Sequence, residues 1–325
     1  MKYLDLFSGG GGIALGFEKA GFTPIALIDS DKDCCKTLGF NRPNWNIICR
    51  DIKDINFNRY NNIDLITAGI PCQAFSYAGN KLGLEDTRGT LFYEVAKAVT
   101  HTNPKIFIIE NVKGLESHNA GLTLKTMVTV FEDLGYTVNY KILNAMNYNV
   151  AQKRERLFIV GTKANLNINF KFPEPSDNIL TLKDALIDVP ESAGYFYSKK
   201  RYDILKLIPP GGCWRNLPIH IQKQYMGASY YQSGGKTGIA KRLSWDEPCL
   251  TLTCSPSQKQ TERCHPDETR PLTIREYARV QTFPDDWDFQ GSISSQYKQI
   301  GNAVPVNLAY AMGKASLTAL QTHHH

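Results

Sequence analysis

No Cys-x-x-Cys pair occurs in the sequence, although its 325 residues include eight cysteines. Cys34 and Cys35 are adjacent and the rest are scattered, which leaves no zinc-ribbon or thioredoxin-type spacing. Cys264-His265 is half of a zinc site with no second half at ligand distance along the chain, so no metal is expected. A chain of this size needs no disulfide staples, and the thiols are expected to be reduced, mostly as small buried hydrophobes. Also missing is any apolar run approaching the roughly 18 residues of a membrane span. The amino terminus has no basic stretch followed by an apolar one, so no secretory signal is read and the cytoplasm is the expected location. The terminal His323-His324-His325 looks like a tag remnant, and residues 321–325 are set aside.

Acid is scarce in one place. From Phe196 to Trp245 nine Lys or Arg stand against the single Asp203. Tyr197, Tyr202, Trp214, Tyr225, Tyr230 and Tyr231 are interleaved with them, a composition that suits a polyanion as well as a solvated basic face. The formal charge of the whole chain is only +6, so the unevenness, not the total, carries the information.

What is present in the first half is alternation. Apolar runs at 3–7, 24–28, 46–49, 63–66, 105–109, 138–143 and 157–160 have the composition of strands. Segments of helical length, such as 88–100 and 122–134, separate several of them. Strand–helix–strand alternation predicts a mainly parallel, Rossmann-like α/β sheet covered on both faces. Little helix separates the last two runs, which favours antiparallel pairing there. After Phe172 the texture changes to Gly, Pro and aromatics with short β-like runs, predicting a second, smaller, irregular and β-rich domain. Helical pattern returns at 273–280 and 306–320. The expected division is a catalytic domain of residues 1–172 completed by 297–320, with 173–296 as the second domain and hinge.

Chemistry gathers at the strand ends. Gly69 and Pro71 break the fourth strand and present Cys72 at the sheet's carboxyl edge, where open α/β sheets bind ligands. Asp5-Leu6-Phe7-Ser8-Gly9-Gly10-Gly11-Gly12 leaves the first strand and opens a helix. It is neither G-x-G-x-x-G nor a P-loop, and alone it is only a tight strand–helix turn. Asp29 ends the second strand, where an acid accepts hydrogen bonds from a ribose, and Asp51 follows the third, placed for an adenine amino group. Three such positions at successive strand ends favour a nucleoside-containing cofactor. Glu110-Asn111-Val112 leaves the fifth strand, and Gln152-Lys153-Arg154-Glu155-Arg156 precedes the seventh.

Together, these motifs resemble those of the DNA cytosine-5 methyltransferases, the bacterial modification enzymes that use S-adenosylmethionine. Arg270 to Pro284 is similar to the family's penultimate motif, and Gln299-Ile300-Gly301-Asn302-Ala303-Val304-Pro305 to its last. The matches follow family order and cover the chain except roughly 173–269. The resemblance implies that Cys72 is a nucleophile adding to cytosine carbon-6, because carbon-5 alone is too poor a nucleophile to accept a methyl group. It implies that Glu110 contacts N3 and the exocyclic amine, that Arg156 contacts O2, and that Arg154 helps fix the site. For S-adenosylmethionine it carries over to Phe7, Gly9, Gly11, Gly12, Asp29, Ser30, Asp51, Ile52, Leu91, Asn302 and Ala303. Gly10 departs from the family, which has a bulkier residue there, and Ser30 stands where relatives often have an aromatic or aliphatic one. Either departure alters cofactor affinity before it alters binding mode.

The target base must be flipped out of double-stranded DNA to meet thiol and methyl donor together. Gln73 to Gly89 is long and polar, as a closing loop would be, with Gln73, Ser76 and Lys81 as DNA contacts. Arg215, Lys236, Lys241, Arg242 and Arg263 are candidate readers of guanine or phosphate in a target-recognition domain. Thr251-Leu252-Thr253 resembles the short motif that ends the recognition region. The expected role is the modification enzyme of a restriction–modification system or a solitary methylase, acting as a monomer beside a cognate endonuclease with which it forms no stable complex. Rivals are a transfer-RNA cytosine-5 methyltransferase, a repressor that kept the fold and lost catalysis, and, remotely, a nicotinamide oxidoreductase.

Overall fold

The computed structural model describes residues 1–70, 90–234 and 236–322. The elements run β1 (Lys2–Leu6), α1 (Gly12–Ala20), β2 (Thr23–Asp29), α2 (Lys32–Asn41), β3 (Ile47–Cys49), β4 (Leu65–Gly69), α3 (Leu91–Thr102), β5 (Ile106–Val112), α4 (Leu122–Asp133), β6 (Tyr136–Asn144), β7 (Gln152–Lys153) and β8 (Glu155–Lys163). Then come α5 (Leu182–Ala185), α6 (Lys199–Leu205), α7 (Ile219–Met226), β9 (Cys249–Leu250), α8 (Ile274–Val280), α9 (Ile293–Asn302) and α10 (Val306–Thr322).

Seven strands make one sheet in the order β3-β2-β1-β4-β5-β8-β6. β8 alone runs against its neighbours, pairing antiparallel with β5 and β6. These are the seven runs expected from composition, and the short β6–β8 connection gives the antiparallel pair it favoured. Alternate residues serve opposite faces, as a pleated strand requires. Leu4, Leu6, Phe107 and Ile109 pack toward α3 and α4. Tyr3, Ile106 and Ile108 pack toward α1 and α10. Gly16 lets α10 approach α1 closely, since a β-carbon there would lie 2.5 Å from Ala309 Cβ. The last helix therefore returns to the first, closing the sheet's second face.

The chain order reverses between β1 and β4, which places the crevice of an open α/β sheet above their carboxyl ends. Over that region lies a third core in which Leu15, Leu27 and Leu38 pack with Leu252, Tyr277, Trp287, Tyr297 and Ile300. A separate small core holds Leu205, Ile208, Trp214, Leu217 and Met226.

The β-rich texture expected after Phe172 is not what forms. Among the described residues this region holds short helices, 3-10 turns and the two-residue β9, which pairs with β7. Ile219-His220-Ile221-Gln222 alternates like a strand, but it follows Pro218, which sits at the helix boundary and starts α7 instead. No helix among the described residues is long and apolar enough to cross a membrane.

Candidate active site

The turn from β1 into α1 is backbone under tension and without bulk. Phe7 takes φ 58°, a left-handed value costly for a non-glycine residue and common where a site dictates shape. Gly12 has no room for a side chain, because a β-carbon would lie 2.2 Å from the Val304 carbonyl oxygen. The Gly9 N–H donates to Asp29 Oδ2 at 2.8 Å, and the Asp31 N–H donates to Asp29 Oδ1 at 2.8 Å. Asp29 is thus oriented by two amides, with lone pairs left over for a ligand. Burial raises its pKa while those amides oppose the rise. Asp51 caps the next turn by accepting from the Lys53 N–H at 3.0 Å.

These elements wall a cavity of about 790 Å³ at the carboxyl ends of β1, β2, β4 and β5. Of the residues expected around a cofactor, Phe7, Gly9, Gly12, Asp29, Ser30, Asp51, Ile52, Leu91, Asn302 and Ala303 line it. Gly11 does not. A β-carbon on Gly11 would meet Trp287 and Leu38, so its side-chain position faces the core rather than the cavity. A second cavity, about 830 Å³ between α10 and residues 147–176, contains none of the candidate residues.

Glu110, Arg154 and Arg156 line the first cavity as well. Antiparallel pairing of β5 with β8 sets Val112 opposite Arg156, and Arg156 Nε lies 2.9 Å from Glu110 Oε1. Burial pushes the Glu110 carboxyl up, while Arg156 and Arg154 pull it back. The Asn111 Nδ2–H donates to the Ile70 carbonyl at 2.9 Å, and its Oδ1 accepts from the Val112 N–H at 2.8 Å. The Ile70 N–H donates to the Glu110 carbonyl at 3.3 Å. The last described residue before Cys72 is therefore held on both sides by the Glu110-Asn111 pair. Cys72, Gln73, Ser76 and Lys81 lie outside the described residues.

Arg154 is 1% exposed and, among the described residues, meets no carboxylate at salt-bridge distance. Its guanidinium donates to the carbonyls of Leu252 at 3.1 Å, Gly301 at 2.9 Å and Ala303 at 3.0 Å. Burial lowers its pKa from the ordinary arginine value, and the neighbouring Arg156 adds to that. Gln152 and Gln281 complete this hub, Gln152 Nε2–H donating to Gln281 Oε1 at 2.9 Å and Gln281 Nε2–H to the Ile300 carbonyl at 2.7 Å. Asn111, Gln152 and Gln281 all stood in quoted motifs, but nothing in their spacing says that their amides bind backbone.

The basic candidates divide. Arg215 is exposed, its guanidinium 5.6 Å from the Trp214 ring. Lys236 donates to the carbonyls of Ser229 and Gln232, and Lys241 to that of Gly211, each from a partly exposed position. Arg242 and Arg263 correct the expectation of DNA contact. Arg242 is 3% exposed and spends its guanidinium on the carbonyls of Leu205, His265, Pro266 and Glu268 and on Thr269 Oγ1. Arg263, 6% exposed, donates to the carbonyls of Thr251 and Glu262. Their charge is turned inward, to backbone carbonyls in loops and at the end of α6. Among the described residues no cluster of three or more His, Cys, Asp or Glu could hold a metal, and the cysteines there are free.

Residues 1–317 match the sequence profile of the C-5 cytosine-specific DNA methylases. The Type II methyltransferase M.Eco47II of Escherichia coli is 57% identical over 323 residues, covering 96% of this chain and 78% of that one. The Type II methyltransferase M.Sau96I of Staphylococcus aureus is 53% identical over 319 residues, covering 96% and 74%. A crystal structure described as a prophage-encoded DNA modification methyltransferase from E. coli superposes with TM-score 0.71 at 25% identity, covering 99% of each chain. The Dnmt2 methyltransferase of S. pombe shares the fold alone, with TM-score 0.68 at 17% identity over 98% of this chain and 99% of that one. The strand-end cavity, its Glu110–Arg156 pair and this match along nearly the whole sequence have one explanation: the chain belongs to the C-5 cytosine-specific DNA methylase family.

Proposed function

We propose that this protein transfers a methyl group from S-adenosylmethionine to carbon-5 of a cytosine flipped out of duplex DNA, as the modification enzyme of a restriction–modification system. The observation that carries the reading is the Glu110–Arg156 pair on the wall of the same cavity as Asp29 and the glycine turn. The lining fits the cofactor: Asp29 is oriented for ribose hydroxyls, Ile52 offers an apolar surface, and the bare turn lets a ligand approach backbone. When bound, S-adenosylmethionine supplies an electrophilic methyl group.

The chain's own residues prepare the base to accept it. The Cys72 thiolate adds to carbon-6, forming a carbon–sulfur bond and moving electron density toward carbon-5 and O2. Arg156 donates to O2 as that charge builds, and Glu110 holds a proton at N3, helped by the burial that raises its pKa. Once carbon-5 has taken the methyl group, a base removes the carbon-5 proton and the carbon–sulfur bond breaks, restoring the thiolate. Arg154 acts at one remove, by fixing Gly301 and Ala303 on the cavity wall.

Residues 1–172 with 297–320 serve cofactor and chemistry, and 173–296 serve target recognition, with α8 and α9 also packing on the cofactor half. Exposed Arg215 and the lysines at 236 and 241 meet DNA; Gln73, Ser76 and Lys81 close over the flipped base. The protein acts in the cytoplasm as a monomer, and its cognate endonuclease is a partner in the system without a stable complex. The transfer-RNA alternative is disfavoured because relatives at 53–57% identity are all named Type II methyltransferases.

The test is transfer of labelled methyl from S-adenosylmethionine to duplex DNA, with Cys72→Ser expected to abolish it. Methylation of transfer RNA with every duplex left untouched would overturn the DNA assignment.

A further inference from the structure

The glycine turn has no side chains at positions 10 to 12, so its shape must be set from elsewhere. A distant stretch of chain does this. Trp287 Nε1–H donates to the Gly10 carbonyl at 3.1 Å, and the indole is 1% exposed. A β-carbon on Gly11 would lie 2.7 Å from Trp287 Cζ2 and 2.9 Å from Leu38 Cδ2. One on Gly10 would lie 3.2 Å from both Phe289 Cε1 and Gln299 Cβ. Neither Trp287 nor Phe289 lines the cavity. They back the turn from outside.

The stretch that carries Trp287 is itself fastened to α2, the helix that follows Asp29. Asn41 Nδ2–H donates to the Asp288 carbonyl and Asn41 Oδ1 accepts from the Asp288 N–H, each at 2.8 Å. The Gln290 N–H donates to Thr37 Oγ1 at 2.8 Å, and the Thr37 hydroxyl donates to Gln299 Oε1 at 2.7 Å. The Arg42 guanidinium lies 5.3 Å from the centre of the Trp287 ring. The glycine turn, the Asp29 strand end and α9 with Asn302 are thus all referenced to residues 287–290.

We propose that Trp287 is a positioning residue for the cofactor. Its N–H and ring, together with Phe289, hold the Gly9–Gly12 turn in the shape that receives S-adenosylmethionine, without touching it. The proposal rests on the reading of the cavity as the site of that cofactor. It also gives the bare Gly10 a cause, since a β-carbon there would crowd Phe289 and Gln299 at 3.2 Å.

Trp287→Phe keeps an aromatic ring but removes the donor and the outer part of the indole that abuts Gly11. By calorimetry its Kd for S-adenosylmethionine should rise about 5-fold or more, while its Kd for duplex DNA without cofactor stays within about 2-fold of wild type. Gly10→Ala should weaken cofactor binding similarly, and Gly10→Ala with Phe289→Leu should recover most of it, a rescue that a general loss of stability cannot produce. If the wild-type protein binds no S-adenosylmethionine, the functional reading falls and takes this proposal with it. If wild type binds it, and Trp287→Phe binds it equally well or loses cofactor and DNA affinity together, the positioning role is overturned. Should Trp287→Phe not fold, the Gly10 and Phe289 pair decides, and absence of rescue counts against the proposal.

Discussion

Arg154 and Leu252 stand 98 residues apart in sequence and are joined by a 3.1 Å hydrogen bond from the guanidinium to the carbonyl. The Leu252 N–H donates in turn to Gln152 Oε1 at 3.0 Å, so both backbone groups of Leu252 are held by the stretch from Gln152 to Arg154. The same guanidinium reaches the Gly301 and Ala303 carbonyls. One buried side chain therefore spaces the segment after β9 against the turn that lines the cavity.

Removing that side chain leaves buried carbonyls unpaired, each costing about 1–3 kcal/mol. Arg154→Ala is expected to destabilise the protein by about 3–5 kcal/mol in urea denaturation. Arg154→Lys, which keeps a charge but not the fork, should lose roughly half as much. An Arg154→Ala protein as stable as wild type would show that the hub is dispensable.

Asp5 is fully buried near the end of β1, with Oδ1 accepting from the Thr67 hydroxyl at 2.6 Å. Burial raises its pKa from 3.8 to about 7. Between those values the folded carboxyl keeps a proton that the unfolded one has released, so stability falls as pH rises. The slope attributable to Asp5 approaches about 1.4 kcal/mol per pH unit, and Asp5→Asn removes it. Wild type should thus lose stability relative to Asp5→Asn between about pH 5 and about pH 7, read from paired denaturation curves. Parallel pH profiles would refute this.

Arg215 and Arg242 should respond oppositely to truncation. Arg215→Ala is expected to weaken duplex binding, reduce the salt slope by about 1 and leave stability within about 0.5 kcal/mol of wild type. Arg242→Ala strips its partners from several buried carbonyls and should cost about 3 kcal/mol or more in folding. Anisotropy titrations against salt and urea melts measure both. A stable Arg242→Ala chain with weakened DNA binding would return Arg242 to the DNA surface.

That contrast shows where sequence reading stops. Arg215 and Arg242 both stand in a basic, aromatic stretch, and composition cannot say which guanidinium faces water. The sheet was legible because period-2 apolar runs are local: Leu4 and Leu6 face one way and Tyr3 the other whatever the rest of the chain does. The cavity residues were legible because the chemistry demands residue types at strand ends, and Asp29 and Glu110 satisfy it within a few positions of their strands. Gly11 shows the limit of a glycine motif, which looks the same whether the missing side chain makes room for a ligand or for Trp287.

By itself, then, the sequence determined the seven strands, the antiparallel pairing of the last two and the resemblance that names the family. Only the tertiary structure decided which arginines are buried, that Arg154 binds three carbonyls, and that residues 287–290 stand behind the glycine turn. The physical reason is range. Periodicity and strand-end chemistry act over a few residues, whereas burial and backbone satisfaction depend on partners that lie from a dozen to more than two hundred positions away.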